Sequence, residues 1–240
     1  VVVALLLCVG TYAQQSKTDA SVEFRPHWNL QLQGGAAYTI GESSSFGDQI
    51  SPALFLSTNY RFHHAMALRL GLGGWQAKGV VVSPEMGYSF NFVQLNADMK
   101  FDLSSFIGGF NHRRVCSVYA FAGVGGIYGF DNDEATKIAE ATSTDELEYL
   151  WDSKAFVAGR FGLGLDFRAS DRVSLSLEGN ANVLSDHFNS KRADNCDWQF
   201  KLLAGVAVNF GKNHRTSQAY LDAQAAEQAA RLAAEREAAE

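Results

Sequence analysis

The 240-residue chain has little of what interrupts extended structure, with only 3 Pro against 22 Gly. Few prolines leave few missing ladder donors, which suits many closely packed strands. Beyond its N-terminus the chain also lacks an apolar run of about 18 residues, which excludes a bundle of membrane-spanning helices. Its mean hydropathy is only −0.11. Any crossing of a membrane must therefore use a closed sheet, the other structure that satisfies every backbone amide in hydrocarbon.

What the chain does have is a repeat. From Trp28 to Phe210, runs of roughly ten residues, apolar at every second position, recur about eight times. The first places Trp28, Leu30, Leu32, Ala36, Tyr38 and Ile40 on one face and Asn29, Gln31, Gln33 and Thr39 on the other. Period two means strand. The pattern predicts strands near 28–40, 50–62, 65–76, 88–102, 115–130, 155–168, 172–184 and 197–210, closing as an all-β, eight-stranded antiparallel up-and-down transmembrane β-barrel with a C-terminal α-helical tail. Alternation slips near Phe92-Val93, which reads as a bulge or a shorter strand.

Tight connections at His63-His64 and Ala169-Ser170 alternate with longer polar ones at 41–49, 77–87, 131–154 and 185–196. Short turns belong on the periplasmic side of an outer-membrane barrel, so both chain ends are expected there. The connection 103–114 is long for that side. Aromatic residues fall into two girdles: Tyr60, Phe62, Phe101, Phe167 and Phe210 at the periplasmic ends, and Tyr38, Tyr128 and Trp198 at the outer ends. The alternate face carries Arg61, Arg69, Asp98, Lys100, Arg160, Asp166, Glu178 and Lys201, unlike the apolar interior of a lipocalin. A soluble lipocalin-like calyx with those charges facing water is the distant alternative.

Residues 1–13 read as a signal peptide lacking its start, with an apolar Val1 to Val9 and a small-residue cleavage site ending at Ala13. An N-terminal periplasmic segment, 14–27, then leads into the barrel, 28–211. Residues 212–240 form a periplasmic helical linker or tail, rich in Ala, Glu, Gln and Arg, with Glu227 and Arg231 at i,i+4 spacing. Its apolar stripe, Tyr220, Leu221 and Leu232, is too narrow for a coiled coil, so a spacer toward a further domain is expected.

This pattern resembles the eight-stranded N-terminal barrel of the outer-membrane protein A family over about residues 28–211. The segment Leu103 to Val115 (LSSFIGGFNHRRV) looks like a periplasmic turn of one branch, and Val206-Ala207-Val208-Asn209-Phe210 is similar to the aromatic-ended last strand read by the barrel-assembly machinery. The resemblance implies a structural outer-membrane protein of the Gram-negative cell envelope, in contact with lipid and lipopolysaccharide. It also implies a peptidoglycan link, carried only by a separate C-terminal domain that this sequence does not contain. A surface module with adhesin-like loops and a low-conductance pore are the alternatives. No nucleic-acid partner is expected.

Inside such a barrel the charges must pair. Antiparallel counting brings Arg160 to within about two residues of facing Glu178 and sets Lys201 near it on the other side. A lumen ion-pair network of Arg160, Glu178, Lys201, Arg69, Asp98 and Lys100 follows, either a static plug or a switchable gate. The loop 131–153 holds eight acids against Lys137 alone, a net −7, and reads as solvated. Asp131-Asn132-Asp133-Glu134 lacks EF-hand spacing.

Nothing identifies an enzyme, a cofactor or a metal site. Ser185-Asp186-His187 are sequential neighbours, which rarely converge as a triad, and His63-His64 lack further ligands. The glycine clusters 71–74 and 123–126 lie within strands and mark bends or close contacts. Cys116 and Cys196 fall at opposite barrel ends, beyond the reach of a disulfide.

Overall fold

In the computed structural model, residues 21–40, 49–83, 85–142, 144, 146–185, 187–190 and 196–239 are described. The expected signal peptide, most of the loop 41–49, half of the loop 185–196 including Asp186, and Asp145 lie outside these residues. The period-two runs form β2 (His27–Thr39), β3 (Ile50–His63), β4 (Met66–Val81), β5 (Met86–Asp102), β6 (Cys116–Phe130), β7 (Lys154–Arg168), β8 (Val173–Leu184) and β9 (Asp197–Phe210). Each pairs antiparallel with its neighbour in sequence, and β2 pairs with β9, Trp28 opposite Phe210, to close the barrel.

The two faces are inverted relative to a soluble protein. Outward side chains such as Leu32, Leu95 and Val157 are 58 %, 65 % and 76 % exposed, whereas Arg69, Asp98 and Glu178 inside are at most 1 % exposed. Water would favour the opposite arrangement, and a surrounding hydrocarbon favours this one. The soluble calyx is excluded by this inversion. No described helix is long and apolar enough to cross a membrane.

Three expectations need correction. No bulge interrupts β5: its register with β4 is continuous from Met86 to Phe101, and Tyr88, Phe90, Phe92, Gln94, Asn96 and Asp98 all point inward. The apparent slip at Phe92-Val93 is a change in the chemistry of the inward face, from polar to aromatic. The expected loop 77–87 is largely strand, because β4 and β5 run on together as far as the pair Val81 and Met86. The one irregularity near a turn is instead a register shift between Arg61 and His63.

The third correction concerns 131–153, which contains the helix α2 (Asp133–Thr142) rather than being free in solvent. Its Ala135 and Ile138 are buried, one turn apart on the face toward the barrel. Its acids satisfy backbone donors: Ser89 N donates to Glu134 at 2.7 Å, and Val82 N and Ser83 N donate to Glu146 at 3.0 and 3.1 Å.

At the end of the barrel where β2 begins and β9 finishes, a two-stranded ribbon pairs β1 (Val22–Phe24) with β10 (His214–Thr216). The alternation did not extend to these three-residue strands. The helix α3 (Gln218–Ala239) leaves from β10 with its side chains exposed. At the same end β5 runs into α1 (Leu103–Gly108), capped by Asp102, whose Oδ1 accepts from Ser105 N at 2.8 Å. Gly109 closes the helix with φ of 69°, a value that favours glycine.

Candidate functional site: a lumen closed twice

At the waist of the barrel, inward positions of β4, β5, β7 and β8 bring two acids and two bases together. Arg69 Nε donates to Asp98 Oδ2 at 2.7 Å, and Arg69 Nη1 to Glu178 Oε2 at 2.5 Å. Arg160 Nε stands 3.2 Å from Asp98 Oδ1, an ion contact without hydrogen-bond alignment, and Arg160 Nη2 is 3.9 Å from Glu178 Oε1. Tyr119 OH and Asn180 Nδ2 also donate to Glu178, at 2.8 and 3.2 Å.

Phe55 and Phe121 flank both bases, with the Arg69 guanidinium 4.2 Å from the Phe121 centroid and that of Arg160 5.0 Å from the Phe55 centroid. Such a cluster has low-dielectric walls, so each charge depends on its partners for compensation. Large inward rings fit because neighbouring strands carry glycine beneath them. A Cβ at Gly164 would run into the Tyr119 ring, and one at Gly71 into Phe55.

The network differs in membership from the one read by counting. Lys201 does not reach Glu178; it stands opposite Asn180 in the ladder and donates to Gln94 Oε1 at 2.9 Å. Arg160 pairs in register with Asn182, four residues from Glu178, and bridges that offset with its long side chain. Lys100 is apart, 3.9 Å from Asp166 and over the Tyr119 ring at 3.7 Å. Arg61 pairs with Asp102 at 2.9 Å nearer the chain-terminal end.

A second closure lies beyond the waist, at the end away from the termini. Phe90, Phe92 and Phe156 point inward there, and Trp151 and Phe188 reach in from the loops. Their rings meet edge to face: Phe90 to Trp151 at 5.0 Å, Phe90 to Phe188 at 5.1 Å and Phe156 to Phe188 at 5.5 Å. Ile138 of α2 and Leu147 complete this apolar cluster.

Polar groups pin the cap in place. Asn132 Nδ2 donates to Trp151 O and Ser190 Oγ, at 3.0 and 2.9 Å. Trp151 Nε1 donates to His187 O at 3.0 Å, and Asp197 Oδ2 accepts from Phe188 N and Asn189 N at 3.0 and 3.1 Å. Ile138, Leu147 and Trp151 are apolar points within an acidic stretch, and their partners on β5 and β7 are too distant in sequence for strand alternation to reveal.

The two aromatic girdles differ in detail from expectation. At the chain-terminal end Phe62, Phe101 and Phe210 are exposed, while the Tyr60 ring lies tilted against Trp28 at 4.7 Å. Phe167 is half-buried beside Leu165 and Cys116 rather than standing clear of the wall. At the other end Tyr38 pairs in register with Phe200, Trp198 lies 6.0 Å from Phe200, and Tyr128 is 6.4 Å from Phe130.

Trp75 also faces outward there. By alternation from Arg69, Gly71 and Gly73 it would point into the lumen, but φ of 141° at Gly74 and 140° at Trp75 turns it out. For a bulky residue that is a strained backbone, of order 1–3 kcal/mol.

Among the described residues no group of three or more His, Cys, Asp or Glu side chains could hold a metal. His63 and His64 lie ring to ring at 4.1 Å. His187 is engaged by Lys154 Nζ at 3.0 Å and by the Tyr149 ring. Cys196 is free and exposed, so it is not bonded to Cys116.

No family model matches the chain. It is 24% identical over 200 residues to outer membrane protein 40 of Porphyromonas gingivalis, an alignment covering 82% of this chain and 50% of that protein. The chain thus spans about half the length of the curated relative it matches. Among solved structures it is similar to the N-terminal β-barrel domain of Pseudomonas aeruginosa OprF, with 11% identity, coverage of 78% of this chain and 100% of that one, and a TM-score of 0.45. Against OprG of the same organism the values are 12%, 78%, 98% and 0.48. The inverted faces, the closed eight-stranded barrel and the outer-membrane relative make this chain an outer-membrane β-barrel protein.

Proposed function

We propose that the protein is a structural component of the outer membrane that supports envelope integrity, with its lumen filled by its own side chains and both termini in the periplasm. The observation that carries this reading is the double closure: a buried four-charge cluster at the waist and an aromatic cap above it lie along one lumen. Eight strands leave an interior that side chains can fill, and here the inward rings of Phe55, Tyr88, Tyr119 and Phe121 sit over glycine on a neighbouring strand. The exterior meets lipid and lipopolysaccharide, and Phe210 ends the last strand as the assembly machinery would read it. The exposed helix α3 leads away from the barrel at its chain-terminal end.

Refolded protein in planar bilayers tests the closed lumen. The expected outcome is a silent membrane at moderate voltage. Steady ohmic steps from the unaltered chain would replace this reading with the low-conductance pore.

A second reading, a surface interaction module, is favoured by one observation: α2 holds Asp133 and Glu140 exposed on a helix fixed to the barrel rather than on a free loop. Charge reversal of both that leaves adhesion of whole cells unchanged would remove its support.

A further inference from the structure

The most exposed large hydrophobic residues of the described chain are not on the barrel wall. They are Phe106 and Ile107 of α1, 78 % and 81 % exposed, above even the outward strand residue Val157. Their orientation is fixed by the rest of the segment. Ser104 and Ser105 are buried on the opposite side, where Ser104 Oγ accepts from Val118 N at 2.8 Å and Arg114 Nη1 donates to Ser105 Oγ at 2.8 Å. Arg114 Nη2 also donates to Gly109 O at 3.0 Å, and the Asp102 cap holds the first turn. A segment tied at so many points cannot fold the two side chains away.

The surface that leads to them is the apolar exterior of the barrel. Phe101, 38 % exposed, points outward one residue before the Asp102 cap, and Leu68, two residues along β4 from its ladder partner Met66, is 42 % exposed. Val115, 51 % exposed, comes immediately before β6. The apolar belt therefore continues past the strand ends onto α1 instead of stopping at the girdle. Short amphipathic elements at a bilayer edge bury such residues at the boundary between headgroups and acyl chains.

We propose that α1 is a membrane foot, with Phe106 and Ile107 inserted among the phospholipids of the leaflet at the chain-terminal end of the barrel. The proposal rests on the outer-membrane reading, so its test must separate the two. Full-length protein in phosphatidylcholine bilayer discs would carry a single trifluoromethyl-phenylalanine, placed in turn at 106, at 107, at Leu95 in the middle of β5 and at Leu232 on α3. Fluorine line widths are then read with a lipid bearing a nitroxide at an upper acyl position, and separately with a water-soluble gadolinium chelate.

Positions 106 and 107 are expected to broaden with the nitroxide lipid to the same order as 95, and to resist the chelate that broadens 232. If 95 responds to the lipid while 106 and 107 respond only to the chelate, the foot is wrong and the membrane barrel stands. If 106 and 107 resist both agents, a protein contact covers them and the foot is equally wrong. If 95 itself ignores the nitroxide lipid, the barrel is not in the bilayer and both readings fall.

Discussion

The waist and the mouth of the lumen are built on the same strands, from the same inward-facing parity, yet they are closed by opposite chemistry. On β5, Asp98 and Phe90 both point inward eight residues apart, one into a cluster of guanidinium groups and the other into a nest of rings. On β7, Arg160 and Phe156 make the same contrast four residues apart. Direction is set by the period of a strand, whereas the chemistry of each level depends on what the opposite wall and the loops bring to it. A charge cluster needs complete pairing and tolerates no loss, while an apolar cap loses contacts one at a time.

The largest loss is expected at the waist. Glu178→Ala leaves Arg69 and Arg160 with Asp98 as their one acid in the cluster, and unpaired buried charge of this kind typically costs about 3–5 kcal/mol. Urea unfolding in lipid vesicles should show that loss. A stability within experimental error of the unaltered protein would mean that the cluster is hydrated well enough to need no pairing.

At the mouth, Trp151→Ala removes the ring that touches both Phe90 and Phe156, with a cost of about 3 kcal/mol by analogy with other buried aromatic deletions. The effect should be local. Trypsin cleavage at Lys137 or Lys154 should accelerate while the barrel keeps its resistance to unfolding without boiling. Loss of the whole barrel together with the cap would make the two regions one cooperative unit.

The packing that both closures share is tested by Gly164→Val, where the added side chain displaces the Tyr119 ring from its bond to Glu178. Overpacking of this kind costs about 1–3 kcal/mol. Phe substitution of Tyr119 separates the lost hydrogen bond from the displaced ring, since it removes only the hydroxyl.

The smallest effect lies outside both regions, in the turn between β3 and β4. His64 is held below its ordinary value of 6.5, first by burial and then by the adjacent His63. The fold thus favours neutral imidazole, and the unfolded chain binds the proton more readily. That contribution is fully present above the unfolded value and is lost as pH falls through the lower folded value. His64→Gln should therefore flatten the decline in urea midpoint between about pH 7.5 and about pH 5. An unchanged slope would assign the pH dependence to other groups.

Much of the architecture was legible because strand formation has a local signature. Side chains alternate across a strand whatever its partners, so eight runs announced eight strands, and tight turns such as Ala169-Ser170 announced which neighbours pair. The inward placement of Arg69, Asp98, Arg160 and Glu178 followed from the same parity. Parity failed at Trp75, where two residues of positive φ reverse its direction. It also misled at Phe92-Val93, where an aromatic inward residue looked like a break in phase.

What the sequence by itself determined is the set of strands, their order and which side chains share a face, because each depends only on residues two apart. Tertiary structure alone decided who meets whom within that face. The stagger of a closed barrel carries Arg69 on β4 to Glu178 on β8, between strands that are not neighbours in the ladder, and leaves Lys201 with Gln94. It also decided that an acidic connection folds back as α2 and helps seal the mouth, since Ile138, Leu147 and Trp151 gain an apolar environment only once Phe90, Phe92 and Phe156 have been assembled from two separate strands. Contacts of that sequence separation have no local periodicity to reveal them; they exist only after the ladder has closed.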